Sequence, residues 1–402
     1  MSQDVLQEAI PTLAADPYAD EVLKNPLPFY AEVREAGPVV FFEKYGVYGT
    51  GRHAEVAEVL GNYKKFSTRS GIGLGDIRDP ASGARPPSIL AETDPPAHTA
   101  TRSVATKILS PRVTRQFREL FEKKAVKYVD RILSMKQFDG IQDLWEPYLF
   151  EGFPEAMGIA FDDEAIRSIG YMAFNQTGPK NALYYDGLKV GEPYIDWFAA
   201  ACQPDSVRPG SLADDFFKAE AAGDLPPNTA SNIIRTFVRA GTDTTKSGMG
   251  TVLRLLASDP RQWATLKSEP NLARTAFDEA LRCESPVHVI YRTTTTDVEL
   301  AGHALKDNTK IAVFPGSANR DERKWENPDL FDVRRRSAGI HMSFGTADHT
   351  CIGQNLARVE TECLLNEMIR RVAKVTLIGT PEYLLMNQLR MLKRLPLEVE
   401  AV

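Results

Sequence analysis

The sequence has no run of about 18 consecutive apolar residues, the length that a membrane-spanning helix needs. Its first residues mix acidic and apolar side chains, with no basic segment leading into an apolar core, so a secretory signal is not expected. Its four cysteines are scattered without CxxC spacing, which argues against a disulfide framework and a cysteine-rich zinc site. We therefore expect a cytoplasmic protein that does not associate with a membrane.

The chain also lacks blocks of lysine and arginine. It has 48 basic and 54 acidic residues among 402, so its formal net charge is −6, and nucleic-acid binding is not expected. A content of 43% hydrophobic and 25% charged residues is typical of a globular protein. We predict a single domain over residues 1–402 that acts as a monomer, with residues 1–17 forming an extended arm.

Hydrophobic periodicity predicts a mainly helical chain with a smaller number of strands. The predicted helices are His53–Leu60, one that begins at Asp94–Pro96 with Asp94 as its cap, Pro111–Met135, Asn228–Leu256, Asn271–Cys283 and Gln354–Val372. The predicted strands are Pro38–Phe42, Gly46–Tyr48, Val287–Ile290, Lys310–Phe314, Val375–Ile378 and Leu395–Val399. Residues 62–96 are rich in glycine and proline, which predicts a long functional or mobile loop.

One cysteine, Cys351, lies in a loop directly before the last predicted helix. The positive end of that helix is expected to favour thiolate over thiol, and a single thiolate donor is the haem-thiolate arrangement. Phe344 is expected to shield the sulfur, and Gly345 and Gly353 to let the backbone approach it. A buried free cysteine in an ordinary loop is the alternative.

The longest predicted helix contains Ala240-Gly241-Thr242-Asp243-Thr244-Thr245. A threonine hydroxyl can compete for a backbone carbonyl and loosen the helix locally, which would create a groove for dioxygen or water. The acid of Asp243 beside the alcohol of Thr244 would provide a proton path that an apolar pocket otherwise lacks. A surface or capping Asp–Thr pair is the alternative.

Two further motifs lie between these segments. Glu279 and Arg282 are three residues apart on a predicted helix, so they can form a bidentate ion pair, although most such pairs are solvated surface bridges. They are followed by Phe331-Asp332-Val333-Arg334-Arg335 and then by the cysteine loop. The order of the three motifs is more informative than any one of them.

In this order the motifs resemble those of cytochrome P450s. Residues 344–353 resemble the family signature Phe-x-x-Gly-x-His/Arg-x-Cys-x-Gly, with Ala347 at a position that is usually glycine. Residues 240–245 resemble the I-helix motif, and the resemblance extends from about Pro17 to Val399. It implies the mainly α P450 fold, a triangular prism with haem b held between the long I helix and the L helix that follows Cys351.

The resemblance also implies roles for individual residues. Cys351 is the expected iron ligand, Thr244 is expected to orient dioxygen and Asp243 to relay protons. Arg335 is expected to join the Glu279–Arg282 pair. The expected haem contacts are His98, Arg102, Arg292 and His349 at the propionates, together with Ala240, Gly241, Phe344 and Gly353. Without the family, His98 and Arg102 would equally suit a solvated helix face.

Several stretches resemble bacterial P450s that oxidise para-substituted benzoates, especially the O-demethylases of alkoxybenzoates: residues 85–88, 94–98, 174–179, 284–287, 292–295 and 316–320. The resemblance implies hydroxylation or O-demethylation of a small para-substituted aromatic acid such as 4-methoxybenzoate. It assigns the carboxylate to Arg85, Ser88, Arg235 and Thr236, and the ring to Phe174, Ala240, Val287 and Ile290.

Arg239 departs from the small or polar residue expected at its position. Because it lies one helical turn before Asp243, it can pair with that carboxylate. It can also reach the substrate carboxylate, which needs a charged partner when buried. The third interpretation is an arginine that extends to the surface.

The resemblance implies separate electron donors, a 2Fe–2S ferredoxin and an NAD(P)H-dependent ferredoxin reductase. Basic residues expected on the thiolate side can steer an acidic ferredoxin or simply aid solubility: Arg112, Arg115, Arg118 and Arg358. Other small hydrophobic substrates (phenolic, terpenoid or fatty acid) remain open. So do a peroxide-using enzyme and a non-catalytic haem-binding sensor, although neither requires the Asp243–Thr244 pair.

Overall fold

The computed structural model describes residues 9–82 and 85–402. The chain is mainly helical with a smaller β region, as predicted. Its described helices are α1 (Asp20–Lys24), α2 (Leu27–Ala36), α3 (His53–Gly61), α4 (Ala97–Ile108), α5 (Pro111–Met135), α6 (Glu146–Met157), α7 (Asp163–Gln176), α8 (Ala182–Gly191), α9 (Ile195–Ala201), α10 (Leu212–Ala221), α11 (Thr229–Ser258), α12 (Pro260–Ser268), α13 (Ala273–Cys283), α14 (Pro315–Ala318) and α15 (Gln354–Arg371).

The described strands are β1 (Thr12–Leu13), β2 (Val40–Phe42), β3 (Val47–Thr50), β4 (Phe66–Ser67), β5 (Gln137–Asp139), β6 (Ile290–Thr294), β7 (Val298–Leu300), β8 (His303–Leu305), β9 (Lys310–Val313), β10 (Val372–Leu377), β11 (Glu382–Leu384), β12 (Met391–Arg394) and β13 (Pro396–Ala401). The largest described sheet has the order β1-β2-β3-β9-β6-β4. Strands β3 and β9 pair in parallel, with Tyr48 opposite Ile311. This sheet therefore joins the N-terminal part of the chain to the segment that follows α13.

Helix α11 runs through the protein and carries one wall of the site. It begins one residue after the predicted start, and its apolar face is buried along most of its 30 residues. It ends where Asp259 accepts the backbone N–H of Arg261 at 3.0 Å and Pro260 opens α12. The sequence Ser258-Asp259-Pro260 is a stop signal for a helix, and α11 does end there.

Helix α15 carries the opposite side of the site and packs along α5. Helix α5 has the predicted bounds, because Pro111 occupies its first turn and the Ser110 hydroxyl accepts the N–H of Val113. The buried hydroxyl of Tyr148 on α6 donates to the backbone carbonyl of Glu360 at 2.9 Å. These contacts fix the start of α15, and with it Cys351.

Two local predictions differ from the structure. Asp94 does not cap α4, because its carboxylate accepts hydrogen bonds from the hydroxyls of Ser67 (2.5 Å) and Thr68 (3.0 Å). The strand predicted at 287–290 begins at Ile290, since pairing with β9 sets its register and local periodicity does not.

The predicted N-terminal arm is described only in part. Residues 1–8 of the arm lie outside the described residues, and Thr12–Leu13 forms β1 on β2. Among the described helices, none combines the length and the apolar character that crossing a bilayer requires.

Candidate functional site

Cys351 faces a cavity between α11 and the loop that precedes α15. The thiol lines this cavity together with Phe344 and Gly345 of its own loop and with Ala240 and Thr244 of α11. The backbone N–H of Cys351 donates to the carbonyl of Phe344 at 2.7 Å, which closes the loop beneath the sulfur. The cysteine is therefore presented to a cavity and is not packed in the core, which argues against the purely structural alternative.

The protonation of Cys351 differs from the sequence-based expectation. Burial raises the pKa of the thiol and outweighs the opposing effects of the Gly353 N–H and of Arg102. The N–H groups at the start of α15 therefore act in the expected direction, but they do not offset burial by themselves. A bound metal ion would displace the thiol proton and supply the missing stabilisation.

The loop before Cys351 contains two residues in left-handed conformations. Gly345 has a φ of 68°, which suits glycine. Ala347, at the position where the family usually has glycine, also has a positive φ of 51°. The loop thus keeps the glycine-type conformation despite the side chain, and the alanine is strained there.

Cationic and imidazole side chains without full hydrogen bonding lie at the rim of this cavity. The rings of His98 and His349 are in contact at a tilt of 37°, with centroids 4.2 Å apart, and neither nitrogen of His98 has a partner among the described residues. Burial lowers the pKa of His98 to about 4. Buried Arg292 donates to the carbonyl of Tyr291 at 2.8 Å, and burial lowers its pKa to about 10. Such groups need an anionic or accepting partner.

The four predicted propionate contacts occupy different positions at this rim. Arg292 and His349 line the cavity itself, and Arg102 donates to the backbone carbonyl of Thr350 beside the thiol. The Nε2 atom of His349 lies 3.7 Å from an Asp94 carboxylate oxygen. Burial acts to raise the pKa of Asp94, but His349 and the two hydroxyl donors lower it below its ordinary value.

The wall opposite the thiol is formed by one face of α11. The hydroxyl of Thr244 donates to the carbonyl of Ala240 at 2.7 Å, the competition for a backbone acceptor that the sequence predicts. Gly241 does not line the cavity: a Cβ there would meet the ring of Phe153 at 3.0 Å. The glycine allows close packing of α6 on α11, which does not support the predicted cofactor contact.

Asp243 points away from Thr244. Its carboxylate lines a separate polar cavity between α7 and α11 and lies 3.4 Å from the ammonium of Lys246. A Cβ on Gly170 of α7 would come within 1.9 Å of that carboxylate, so the helices can approach only because this residue is glycine. Burial raises the pKa of Asp243, while Lys246 acts in the opposite direction.

The polar cavity contains a chain of buried charges. Lys246 lies 3.2 Å from a carboxylate oxygen of Glu146, which also pairs with Arg167. Burial acts to raise the pKa of Glu146, but the two cations lower it. Arg239 has no part in this network, so the interpretation that pairs it with Asp243 is wrong.

Arg239 instead lines a pocket between α7, α9, α11 and the loop before α4. Two further predicted substrate residues, Ser88 and Thr236, have hydroxyl oxygens 3.1 Å apart in this pocket. Arg235 lines it as well, and among the described residues neither Arg235 nor Arg239 has a hydrogen-bonding or ion-pair partner. Burial and the neighbouring arginines lower the pKa of Arg239.

Arg85 belongs to the same pocket but is already paired. Its guanidinium donates to both carboxylate oxygens of buried Glu92, at 2.6 and 2.7 Å. Glu92 also accepts the backbone N–H of Ser88 at 2.9 Å. Arg85 therefore holds the loop in place through Glu92. Its charge is not free to bind a ligand, contrary to the prediction that it holds the substrate carboxylate.

The predicted ring contacts lie on the apolar side. Val287 and Ile290 line the cavity that contains Cys351. Phe174 packs with Val287 against the buried cluster of Met386, Leu389 and Met391. Phe174, which belongs to α7, therefore supports this wall but does not line the cavity itself.

The buried ion cluster next to the cysteine loop is formed as predicted. Arg282 donates to both carboxylate oxygens of Glu279, at 2.7 and 2.9 Å, and both side chains are fully buried. Arg335 joins them with its Nε 2.8 Å from Glu279 Oε1. The surface-bridge alternative is excluded for this pair.

The predicted basic surface is smaller than expected. Arg358 is buried: it pairs with Asp278 at 2.8 Å, and its guanidinium lies 4.7 Å from the centroid of Phe344. Arg118 is bound to Glu362 at 2.8 Å. Arg112 and Arg115 remain exposed, although Arg112 lies 3.5 Å from a carboxylate oxygen of Asp215.

A single thiol opposite a threonine, with arginine and imidazole side chains at the rim of the cavity, fits a haem held by one cysteine. Among the described residues, no group of three or more histidine, cysteine or acidic side chains is arranged to bind a metal ion in another way. The unpartnered His98 nitrogens and buried Arg292 suit the two propionates. The site therefore defines a haem-thiolate protein.

Comparison with known proteins gives the family. The cytochrome P450 family model matches residues 199–377. The cytochrome P450 CYP199A2 of Rhodopseudomonas palustris is 38% identical over 392 residues, which cover 97% of this chain and 95% of the relative. Erythromycin C-12 hydroxylase of Saccharopolyspora erythraea is 30% identical, covering 87% of this chain and 88% of that protein.

A solved structure agrees with these relatives. The cytochrome P450 CYP109Q5 of Chondromyces apiculatus has a TM-score of 0.80 at 26% identity and covers 98% of this chain and 100% of its own. The chain belongs to the cytochrome P450 family. It has the P450 fold, its cofactor is cysteine-ligated haem b, and it is a monooxygenase.

The contacts of Lys246, Glu146 and Asp94 at the site were not predicted from the sequence. The spacing of Asp243 and Lys246, three residues apart on one helix, could have indicated that pair. No sequence signal connects Glu146 to α11 or Asp94 to His349, because these contacts depend on how distant segments pack.

Proposed function

We propose that this monooxygenase hydroxylates or O-demethylates a small para-substituted aromatic acid, with 4-methoxybenzoate as the simplest example. The observation that carries the proposal is the pair of unpartnered arginines, Arg235 and Arg239, beside the hydroxyls of Ser88 and Thr236. Unpaired cations that line a pocket favour an anionic ligand.

The spacing along α11 suits a ligand of this size. Thr236, Ala240 and Thr244 follow one another at intervals of one helical turn, so Thr236 and Thr244 are about 12 Å apart along the axis. A para-disubstituted benzene with a hydrogen bond at its acid end spans a comparable length. With the carboxylate at Thr236, the ring lies over Ala240 and against Val287 and Ile290, and the para substituent lies at Thr244.

When bound, the haem supplies the reductive activation of dioxygen and the insertion of one oxygen atom into the substrate. Thr244 presents its hydroxyl to the cavity while its proton is directed to the Ala240 carbonyl. Asp243 is the proposed proton carrier. Its carboxylate takes up a proton on the polar side, beside Lys246 and Glu146, and turns toward Thr244 to deliver it.

A titration with 4-methoxybenzoate tests the proposal. We expect a low-to-high-spin shift of the haem absorbance, and a weaker shift with the uncharged methyl ester. The charge-removing variant Arg235→Gln should bind the acid about tenfold more weakly and the ester unchanged. The absence of any spin shift at millimolar acid would contradict the proposed substrate class.

Electron transfer is proposed to come from a 2Fe–2S ferredoxin and its NAD(P)H-dependent reductase. Exposed Arg112 and Arg115 can attract an acidic partner, and rising salt should then slow reduction. Product formation with ferredoxin, reductase and NADH, compared with peroxide alone, separates this function from a peroxide-using enzyme. No product under either condition would favour a sensor.

A further inference from the structure

The pocket lined by Arg85, Arg235 and Arg239, called the arginine pocket below, carries more positive charge than a benzoate can neutralise. The charge of Arg85 is cancelled by Glu92, with two hydrogen bonds between them. Arg235 and Arg239 add two charges, and none of the described residues that line the pocket is acidic. Residues 83 and 84, which are adjacent in sequence but outside the described residues, are glycine and alanine and bring no carboxylate.

We propose that the preferred substrate carries a dianionic head group, such as an aryl phosphate monoester or an aromatic dicarboxylate. This inference rests on the proposed function, because it concerns the same pocket and deepens the class of acid. Arg235 and Arg239 are four residues apart, so their side chains leave α11 on the same side, about 6 Å apart along the axis. A head group with two charges can contact both guanidinium groups at once.

The position of Arg239 determines whether the pocket prefers a monoanionic or a dianionic head group. Arg235 lies beside Thr236, so one arginine and the Ser88–Thr236 hydroxyls are sufficient for a monoanion. Arg239 lies one turn closer to Thr244 and beside two other arginines, and the acid near it, Glu92, is already paired with Arg85. A monoanionic ligand leaves Arg239 uncompensated, whereas a dianionic one pairs it.

Binding measurements on the haem-loaded protein test the inference. The probes are 4-methoxybenzoate, 4-methoxyphenyl phosphate and 4-methoxyphthalate, each titrated by spin-state shift and by calorimetry near pH 8, where the phosphate is fully charged. We expect at least one dianionic probe to bind about tenfold more tightly than the benzoate. Comparing the affinities of the two dianionic probes shows whether the pocket prefers a phosphate or a dicarboxylate.

The variant Arg239→Gln should remove this preference, because it should weaken the binding of the dianionic probes about tenfold more than it weakens the binding of the benzoate. Arg336→Gln is the control, since Arg336 is exposed and the loss of net charge is the same. Equal or tighter binding of the benzoate in the wild type overturns the inference but leaves the proposed function intact. A preference for dianions that persists in Arg239→Gln also overturns it. Failure of all three probes to bind contradicts both proposals.

Discussion

The strained alanine in the cysteine loop gives a prediction whose magnitude can be worked out. Ala347 has a φ of 51°, where an L-residue other than glycine is disfavoured by about 1–2 kcal/mol. The substitution Ala347→Gly removes this cost but adds about 0.4–1 kcal/mol of unfolded-state entropy. We therefore expect a net gain of about 0.5–1 kcal/mol in the free energy of unfolding.

Urea unfolding of the haem-loaded protein measures this gain as a higher midpoint with an unchanged slope. Two exposed alanines serve as matched controls. Ala301 has a φ of 50° far from the cysteine loop, so Ala301→Gly should also stabilise. Ala100 lies within α4, so Ala100→Gly should cost about 1 kcal/mol. If Ala301→Gly stabilises the protein and Ala347→Gly does not, the assignment of backbone strain at Ala347 is wrong.

Three other predictions follow from buried charges. Glu279→Ala leaves Arg282 buried without its carboxylate, so we expect a loss of about 3–5 kcal/mol and little haem-loaded protein; normal haem occupancy would contradict this. Lys246→Met leaves the buried carboxylate of Asp243 without its cation and that of Glu146 with Arg167 alone, so it should destabilise by roughly 3 kcal/mol in urea, a result that an unchanged midpoint would refute. Burial raises the pKa of Glu360 to about 8, so the folded state binds its proton more tightly and stability falls as pH rises above about 4.5. Relative to Glu360→Gln, the wild type should lose roughly 3 kcal/mol between about pH 5 and pH 7.5, and the exposed-site control Glu119→Gln should show no such difference.

Local patterns predicted the parts of the fold that local chemistry determines. Helix α5 has the predicted bounds because Ser110 and Pro111 define its start, and α11 ends at the predicted Asp259–Pro260. The strand predicted at 287–290 is displaced, since β6 takes its register from β9, which no local pattern encodes. Asp94 resembled a helix cap in sequence, but its hydroxyl partners in β4 and the following loop come from packing.

The site shows the same division. The position of Cys351 before a helix and of Thr244 on the facing helix could be deduced from motif spacing. The direction of a side chain could not: Asp243 is adjacent to Thr244 in sequence but lines the other side of α11. The sequence is compatible with three interpretations of Arg239. Whether its side chain points toward Asp243 or into the pocket depends on the neighbouring Lys246 and on the path of α7.

The contact between Gly170 and Asp243 connects the entry of a ligand with the protonation of the acid. Ile169 and Met172, on either side of Gly170, line the arginine pocket, so the helix that lines the proposed substrate pocket also packs against the acid. If α7 withdraws to admit a ligand, water reaches Asp243 and the acid ionises more readily; when α7 closes again, the carboxyl group dries and retains its proton. Ligand binding and the protonation of Asp243 would then both depend on the movement of α7.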